Sequence, residues 1–141
     1  MQPGYGASMN DSPSIKRVVL VGHCGFDSSA IQRTVENALP DVAVGMAHNQ
    51  NQLEQSADGG SLLLINRVLD GRFNTTSCYE MIEELAGRED PPKMMLVSNF
   101  DDAQRQAEQA GAMPGFGKNQ LGSPELAEKL RAAVSQPTQP S

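Results

Sequence analysis

Four short apolar runs in this sequence each end at a polar residue whose side chain could take part in chemistry. These polar residues are His23 with Cys24, Asn66, Ser98 and Lys118. Short apolar runs separated by helical patterns are typical of parallel strands that are buried on both faces. Ligands bind such sheets just beyond the carboxyl ends of the strands, so these five residues form the candidate site. None of the four runs ends in a carboxylate, and this restricts the chemistry open to the site.

The segment from Gly22 to Ser28 places a histidine and a thiol beside the predicted start of a helix. A helix N-terminus favours anions and stabilises a thiolate, so Cys24 is a possible reactive thiol, with His23 as its modulator. The alternative is that Cys24 is a small buried residue that fills space under the loop. A metal site of His23, Cys24 and Asp27 would lack a fourth ligand, and the glycines lack the spacing of a phosphate-binding loop.

Asn66 and Lys118 each allow more than one role. Asn66 either contacts a small ligand or, as asparagine commonly does, bonds to the backbone of the following loop. Lys118 either binds an anion, pairs with Asp27 or Asp70, or points to solvent. Ser98 is an ordinary residue at a turn between a strand and a helix.

A βα pattern that repeats five times must position these residues. Strands are predicted at about 17–22, 42–44, 62–65 and 94–97, with a poor fifth strand that Pro114, Gly115 and Gly117 interrupt. Helices are predicted from Asp27 or Ser28 to Leu39, at 50–57, from Ser77, from Asn99 or Asp101 to Gly111, and from Ser123. The glycines and the proline favour an edge position for the fifth strand. Five such units predict an α/β fold with a doubly wound parallel sheet.

Composition limits the classes of function. The chain has 141 residues, 11 Lys and Arg against 17 Asp and Glu, and a net charge of −6. An acidic surface with no basic stripe argues against nucleic acid as a partner. No run approaches the roughly 18 apolar residues of a membrane span, and no secretory signal is visible, so we expect a cytoplasmic protein. One domain is predicted at 15–134, between disordered tails at 1–14 and 135–141.

The strand-end residues resemble those of the receiver domains of two-component response regulators. Receivers carry a Thr or Ser where Ser98 ends the fourth strand and a lysine where Lys118 ends the fifth, and Gln109–Ala112 resembles a segment that precedes their lysine. This resemblance implies a flavodoxin-like (βα)5 fold with strand order 2-1-3-4-5. Receivers also carry an acidic pair where this chain has His23 and Cys24.

Two further departures concern the phosphorylation site and its loops. Receivers carry a phosphoacceptor aspartate where this chain has Asn66. The loops after the first and third strands are expected to be longer here, through Gly25–Asp27 and Asp70–Thr76.

These departures predict an atypical receiver that acts through protein contact without aspartyl phosphorylation. Phosphoryl transfer to a side chain needs a carboxylate nucleophile and a hard cation, whereas His23 and Cys24 are poor ligands for Mg²⁺. We therefore expect no catalytic residue, metal or cofactor, and a partner that is a signalling protein or a second copy of the chain. The resemblance places the contact face near Ala103, Ala107 and Phe116. The alternatives are a thiol enzyme or redox sensor that uses Cys24, and a small anion or nucleotide binder at the strand ends.

Overall fold

The structure is a computed structural model that describes residues 15–135. The predicted tails at 1–14 and 135–141 lie outside the described residues, apart from Ser135. Ser135, which we predicted to begin the C-terminal tail, is instead the last residue of a helix. Within 15–135, no helix is long and apolar enough to cross a membrane.

The described residues alternate between strands and helices. The strands are β1 (Arg17–Val21), β2 (Ala43–Ala47), β3 (Ser61–Asn66), β4 (Lys93–Val97) and β5 (Met113–Phe116). The helices are α1 (Gly25–Ala38), α2 (Gln50–Ser56), α3 (Cys78–Ala86), α4 (Asp101–Ala110) and α5 (Pro124–Ser135), with a 3-10 turn at Lys118–Gln120.

All neighbouring strands are parallel, and the sheet order is β2-β1-β3-β4-β5. The predicted doubly wound fold and its strand order 2-1-3-4-5 are therefore confirmed. The register aligns the carboxyl ends of the strands, with Val21 beside Ile65, Asn66 beside Val97, and Val97 beside Phe116. The residues that follow these strands consequently meet at one edge of the sheet.

The apolar runs are continuous because helices cover both faces of the sheet. Alternate residues of a strand point to opposite faces. Leu20 and Leu64 pack on one face against side chains of α1 and α5, among them Ile31 and Leu130. Val21, Leu63 and Ile65 pack on the other face against α2, α3 and α4, through Leu53, Ile82 and Ala107 among others.

Helix α1 begins at Gly25, earlier than the predicted start at Asp27 or Ser28. Cys24 is extended at the N-cap position, and its carbonyl accepts the first helical hydrogen bond from the Ser28 N–H at 2.8 Å. Asp27 thus lies in the first turn rather than capping it, and there the helix dipole favours its charge. The prediction of a longer loop after β1 is also wrong, because Gly25–Asp27 belong to helix α1. The long connection predicted after β3 is present, between Asn66 and Cys78.

The two edge strands, β2 and β5, have a weaker strand pattern in the sequence than the central strands do. β2 extends to Ala47, beyond the predicted 42–44, and Ala43, Gly45 and Met46 are exposed along it. An edge strand with exposed positions lacks the continuous apolar run by which the central strands were recognised. β5 lies at the opposite edge, as its glycines and proline predicted.

Candidate functional site

The fold brings the five predicted site residues to the carboxyl edge of the sheet. Asn66, Ser98 and Lys118 line one groove there, with a volume of about 250 Å³. His23 lies beneath the surface, with 1% of its area exposed, and bonds to β3. Cys24 is partly exposed at the start of α1. Each side chain is held by the contacts described below.

Asn66 uses its amide to tie two loops to the end of β3. Its Nδ2 donates to the Val68 carbonyl at 2.7 Å and to the Gly22 carbonyl at 3.2 Å. Since both partners are acceptors, the amide nitrogen rather than the amide oxygen must face them. This arrangement matches the loop-backbone role considered for Asn66. A carboxylate could not replace the amide here because an ionised carboxylate has no hydrogen to donate.

Lys118 forms an ion pair with Asp27, one of the alternatives left open by the sequence. Lys118 Nζ lies 2.5 Å from Asp27 Oδ2, with the lysine side chain 37% and the aspartate side chain 29% exposed. The hydrogen bond from Lys118 is the main cause that lowers the pKa of Asp27, and it outweighs the opposing effect of burial. The lysine ammonium is therefore held by a carboxylate that α1 supplies.

His23 is a buried, neutral side chain rather than an exposed modulator of a thiol. One ring nitrogen, Nε2, lies 2.8 Å from the Leu64 carbonyl oxygen. Because a carbonyl only accepts, Nε2 carries the hydrogen, and Nδ1 is an acceptor that has no hydrogen-bond partner within 15–135. Burial lowers the pKa of His23 to about 4, which outweighs the opposite effect of the bond to Leu64.

Ser98 starts the turn into α4, and Gln104 on that helix holds the turn against β5. The Ser98 hydroxyl accepts a hydrogen bond from the Phe100 N–H at 3.2 Å. Gln104 Nε2 donates to the carbonyls of Leu96 at 2.9 Å and Ser98 at 3.1 Å, and its Oε1 accepts from the Gly115 N–H at 3.1 Å. Our sequence reasoning missed Gln104, since a lone glutamine among polar helix residues carries no distinguishing signal.

The prediction of a contact face at Ala103, Ala107 and Phe116 is wrong, because these side chains are not at the surface. These side chains have exposures of 5%, 0% and 2%, respectively, and belong to the two cores of the sheet. The small alanines allow α4 to approach the sheet closely, and Phe116 fills the opposite face. None of the three can contact a partner while the domain is folded.

Exposed apolar side chains occur instead beside the groove, and the sequence did not single them out. Val68 is 69% and Phe100 is 70% exposed, and both line the groove with Asn66, Ser98 and Lys118. Arg67 also lines it, with its guanidinium carbon 5.3 Å from the centroid of the Tyr79 ring. The groove thus combines two apolar side chains with two cations.

The donors at the strand ends do not fit the magnesium site that a receiver fold implies. Mg²⁺ needs several oxygen ligands, usually carboxylates, and Asp27, the carboxylate that contacts Lys118, is already used in that ion pair. Asn66 turns its nitrogen to the loops, and His23 is bonded to Leu64. The described part of the chain also contains no cluster of three or more His, Cys, Asp or Glu residues that could hold a metal.

The second cysteine, Cys78, lies far from solvent at the start of α3. Its side chain is buried, and burial raises the pKa of its thiol. Cys24 and Cys78 are both free thiols. This leaves Cys24 as the accessible one of the two.

Comparison with known proteins supports the fold through structure alone. Neither a protein-family model nor a curated protein matches the sequence. The signal receiver domain of a DNA-binding response regulator from Colwellia psychrerythraea 34H superposes with a TM-score of 0.63 at 14% identity, covering 86% of this chain and 99% of that one.

Two further solved structures give the same picture. A response regulator from Colwellia psychrerythraea has a TM-score of 0.61 at 19% identity, covering 86% of this chain and 98% of that one. The phosphorylated cyanobacterial phytochrome response regulator RcpA has a TM-score of 0.57 at 16% identity, with 90% and 99% covered. The chain therefore has the fold of response regulator receiver domains.

Proposed function

We propose that this chain is a signal-transduction module with a receiver fold that acts through protein contact, independently of aspartyl phosphorylation, and that it is not an enzyme. The observation that carries the proposal is the Asn66 amide, which donates to the carbonyls of Gly22 and Val68 at the end of β3. An amide in this position is a structural tie between loops. It is also a poor nucleophile, whereas phosphoryl transfer to a side chain needs a carboxylate.

The surroundings of Asn66 support the same proposal. Lys118, which would otherwise neutralise a phosphoryl group, already has a carboxylate partner in Asp27. That pair links α1 to the 3-10 turn that follows β5, so it fixes the loops around Asn66 without any added group. One structural neighbour, RcpA, is a phosphorylated response regulator. This chain shares its fold, but the residues at the strand ends of this chain do not form a phosphorylation site.

The first test is phosphorylation itself. We expect acetyl phosphate with Mg²⁺ to leave the intact mass of the chain unchanged, and beryllofluoride with Mg²⁺ to leave its ¹H-¹⁵N spectrum unchanged, because the end of β3 carries an amide in place of a carboxylate nucleophile. RcpA, treated in parallel, is the positive control. A mass increase that disappears in Asp27→Asn or Asp70→Asn would contradict the proposal and place a phosphoacceptor in the loops.

The second test restores a carboxylate at the end of β3. Asn66→Asp is expected to lower the free energy of unfolding by about 1–3 kcal/mol, because the Gly22 and Val68 carbonyls lose their donor and face a negative charge. We also expect no phosphorylation of this variant, since the other metal ligands are still missing. Urea denaturation and intact-mass measurement check the two expectations.

The matched control for this variant is Asn99→Asp. Asn99 Oδ1 accepts a hydrogen bond from the Asn119 N–H at 3.2 Å, and a carboxylate can accept that bond equally well. The free energy of unfolding should change much less at position 99 than at position 66. Equal effects at the two positions would refute the role assigned to the Asn66 amide, and phosphorylation of the Asn66→Asp variant would refute the expectation that the metal ligands are missing.

A further inference from the structure

We propose that the groove between Val68 and Phe100 is the partner-binding site and that it takes a peptide segment in which a carboxylate lies next to an apolar side chain. The inference rests on the proposed function, which requires a protein contact, and adds the place and the chemistry of that contact. The groove is lined by Asn66, Arg67, Val68, Val97, Ser98, Asn99, Phe100 and Lys118.

The apolar part of the argument is the exposure of Val68 and Phe100. Val68 is 69% exposed and Phe100 is 70% exposed. They lie on two different loops, and both loops line the same groove. Single exposed apolar residues are ordinary, but two that line one concavity are typical of an interaction site. A large aromatic side chain at a groove edge can bury much area on binding.

The charges of the groove select the partner. Its charged residues are Arg67 and Lys118, and no Asp or Glu lines it, although the whole chain carries a net charge of −6. Asp101, the next residue after Phe100, lines the adjoining depression with Gln104 and Lys129 instead. An acidic segment is therefore attracted to this groove and repelled by most of the remaining surface.

Arg67 is the cation that is placed to bind a carboxylate. Lys118 is already paired with Asp27, whereas Arg67 has no ion pair with any carboxylate among the described residues. Its guanidinium lies 5.3 Å from the centre of the Tyr79 ring, which is within the range of a cation–π contact. A guanidinium can bind a carboxylate through two hydrogen bonds.

The test is a titration of the ¹⁵N-labelled full chain with two pools of blocked tetrapeptides. One pool combines Asp or Glu with Leu or Phe in all orders, and the matched pool has Lys in place of each acid. We expect the acidic pool to shift the amide signals of residues 66–68 and 98–100, and the basic pool to leave them unchanged. Equal responses to both pools, shifts centred on another face, or no binding would overturn the inference.

Variants of exposed side chains keep the test independent of folding. Phe100→Ser and Arg67→Gln should each weaken binding of the acidic pool by roughly tenfold or more, with little change in the thermal midpoint. Arg105→Gln is the matched control, because Arg105 is an exposed arginine on α4 that pairs with Asp102 and does not line the groove. Unchanged binding by Phe100→Ser and Arg67→Gln would also overturn the inference.

Failure of this inference and failure of the proposed function are distinguishable. If the acidic pool does not bind while acetyl phosphate leaves the mass unchanged, the groove is not the contact site and the proposed function stands on another surface. If the chain is phosphorylated while the acidic pool still binds at residues 66–68 and 98–100, the proposed function fails and the binding groove remains.

Discussion

Acidification from about pH 6.5 to about pH 4 is expected to lower the free energy of unfolding by about 3 kcal/mol through His23. In the unfolded chain the imidazole has its ordinary pKa of 6.5, whereas burial lowers the pKa to about 4 in the folded domain. Between these two values the unfolded chain binds more protons than the folded chain does, so stability falls as the pH falls. Below about pH 4 the imidazole is protonated in both states, and its contribution to the pH dependence ends.

The charged groups near His23 do not reverse the direction of this pH dependence. Lys118 and, least of all, His48 lower the pKa of His23 further, while Asp27 acts in the opposite direction and less strongly than Lys118. The pKa of Asp27 itself is lowered below 3.8, so the stability that its charge contributes is lost only at a pH below the His23 range. Above about pH 4.5 the decline therefore reports on the buried imidazole, whereas closer to pH 4 the lowered pKa of Glu54 also contributes.

Urea denaturation followed by circular dichroism at several pH values between 7 and 4 measures this decline. His23→Gln keeps a donor for the Leu64 carbonyl and removes the titrating ring, so its stability should depend much less on pH over this range. His48 is the other histidine and its side chain is exposed, and His48→Gln should keep the full decline because His23 is intact. An unchanged pH dependence in His23→Gln would contradict the assignment.

Gly115→Ala is expected to destabilise the domain by about 3 kcal/mol or more, an effect at the upper end for an added methyl group. A Cβ at this position would collide with the Leu96 carbonyl oxygen and lie 2.9 Å from both Leu96 N and Gln104 Oε1. The obstacle is backbone of β4, which cannot move without losing its pairing with β5. The hydrogen bond between Gly115 and Gln104 would be lost together with that pairing.

Gly25→Ala is the matched control for this substitution. Gly25 is exposed at the first position of α1, and a Cβ there would meet no atom within 4 Å. Alanine should therefore leave stability unchanged or raise it by up to about 1 kcal/mol, because alanine loses less backbone freedom on folding than glycine does. Thermal and urea denaturation of the two variants give the comparison, and similar effects at 25 and 115 would rule out close backbone approach as the reason for Gly115.

The gap between the sequence interpretation and the structure is clearest at α4. The sequence interpretation places Ala103 and Ala107 on a contact face, but their four-residue spacing is equally consistent with a core face. The position of the helix against β4 and β5 decides between them and buries Ala103 and Ala107. The same packing leaves Phe100, at the N-cap of α4, with most of its ring in solvent.

The sequence alone determined the order of strands and helices, the residues that follow each central strand, and the lack of a carboxylate among them. These properties depend on apolar runs and helical spacing over a few neighbouring residues, which can be read without knowing what packs against them. Asn66 belongs to this class, since its bond to Val68 spans two residues.

Only the tertiary structure decided which partners Lys118 and His23 have. Lys118 and Asp27 are 91 positions apart, and His23 and Leu64 are 41 apart, so their contacts depend on how the layers pack and on the register of the strands. The burial of His23, the role of Gln104 and the groove between Val68 and Phe100 arise in the same way. Each of these features combines residues from separate elements of the chain, which meet because the parallel strands end at one edge of the sheet.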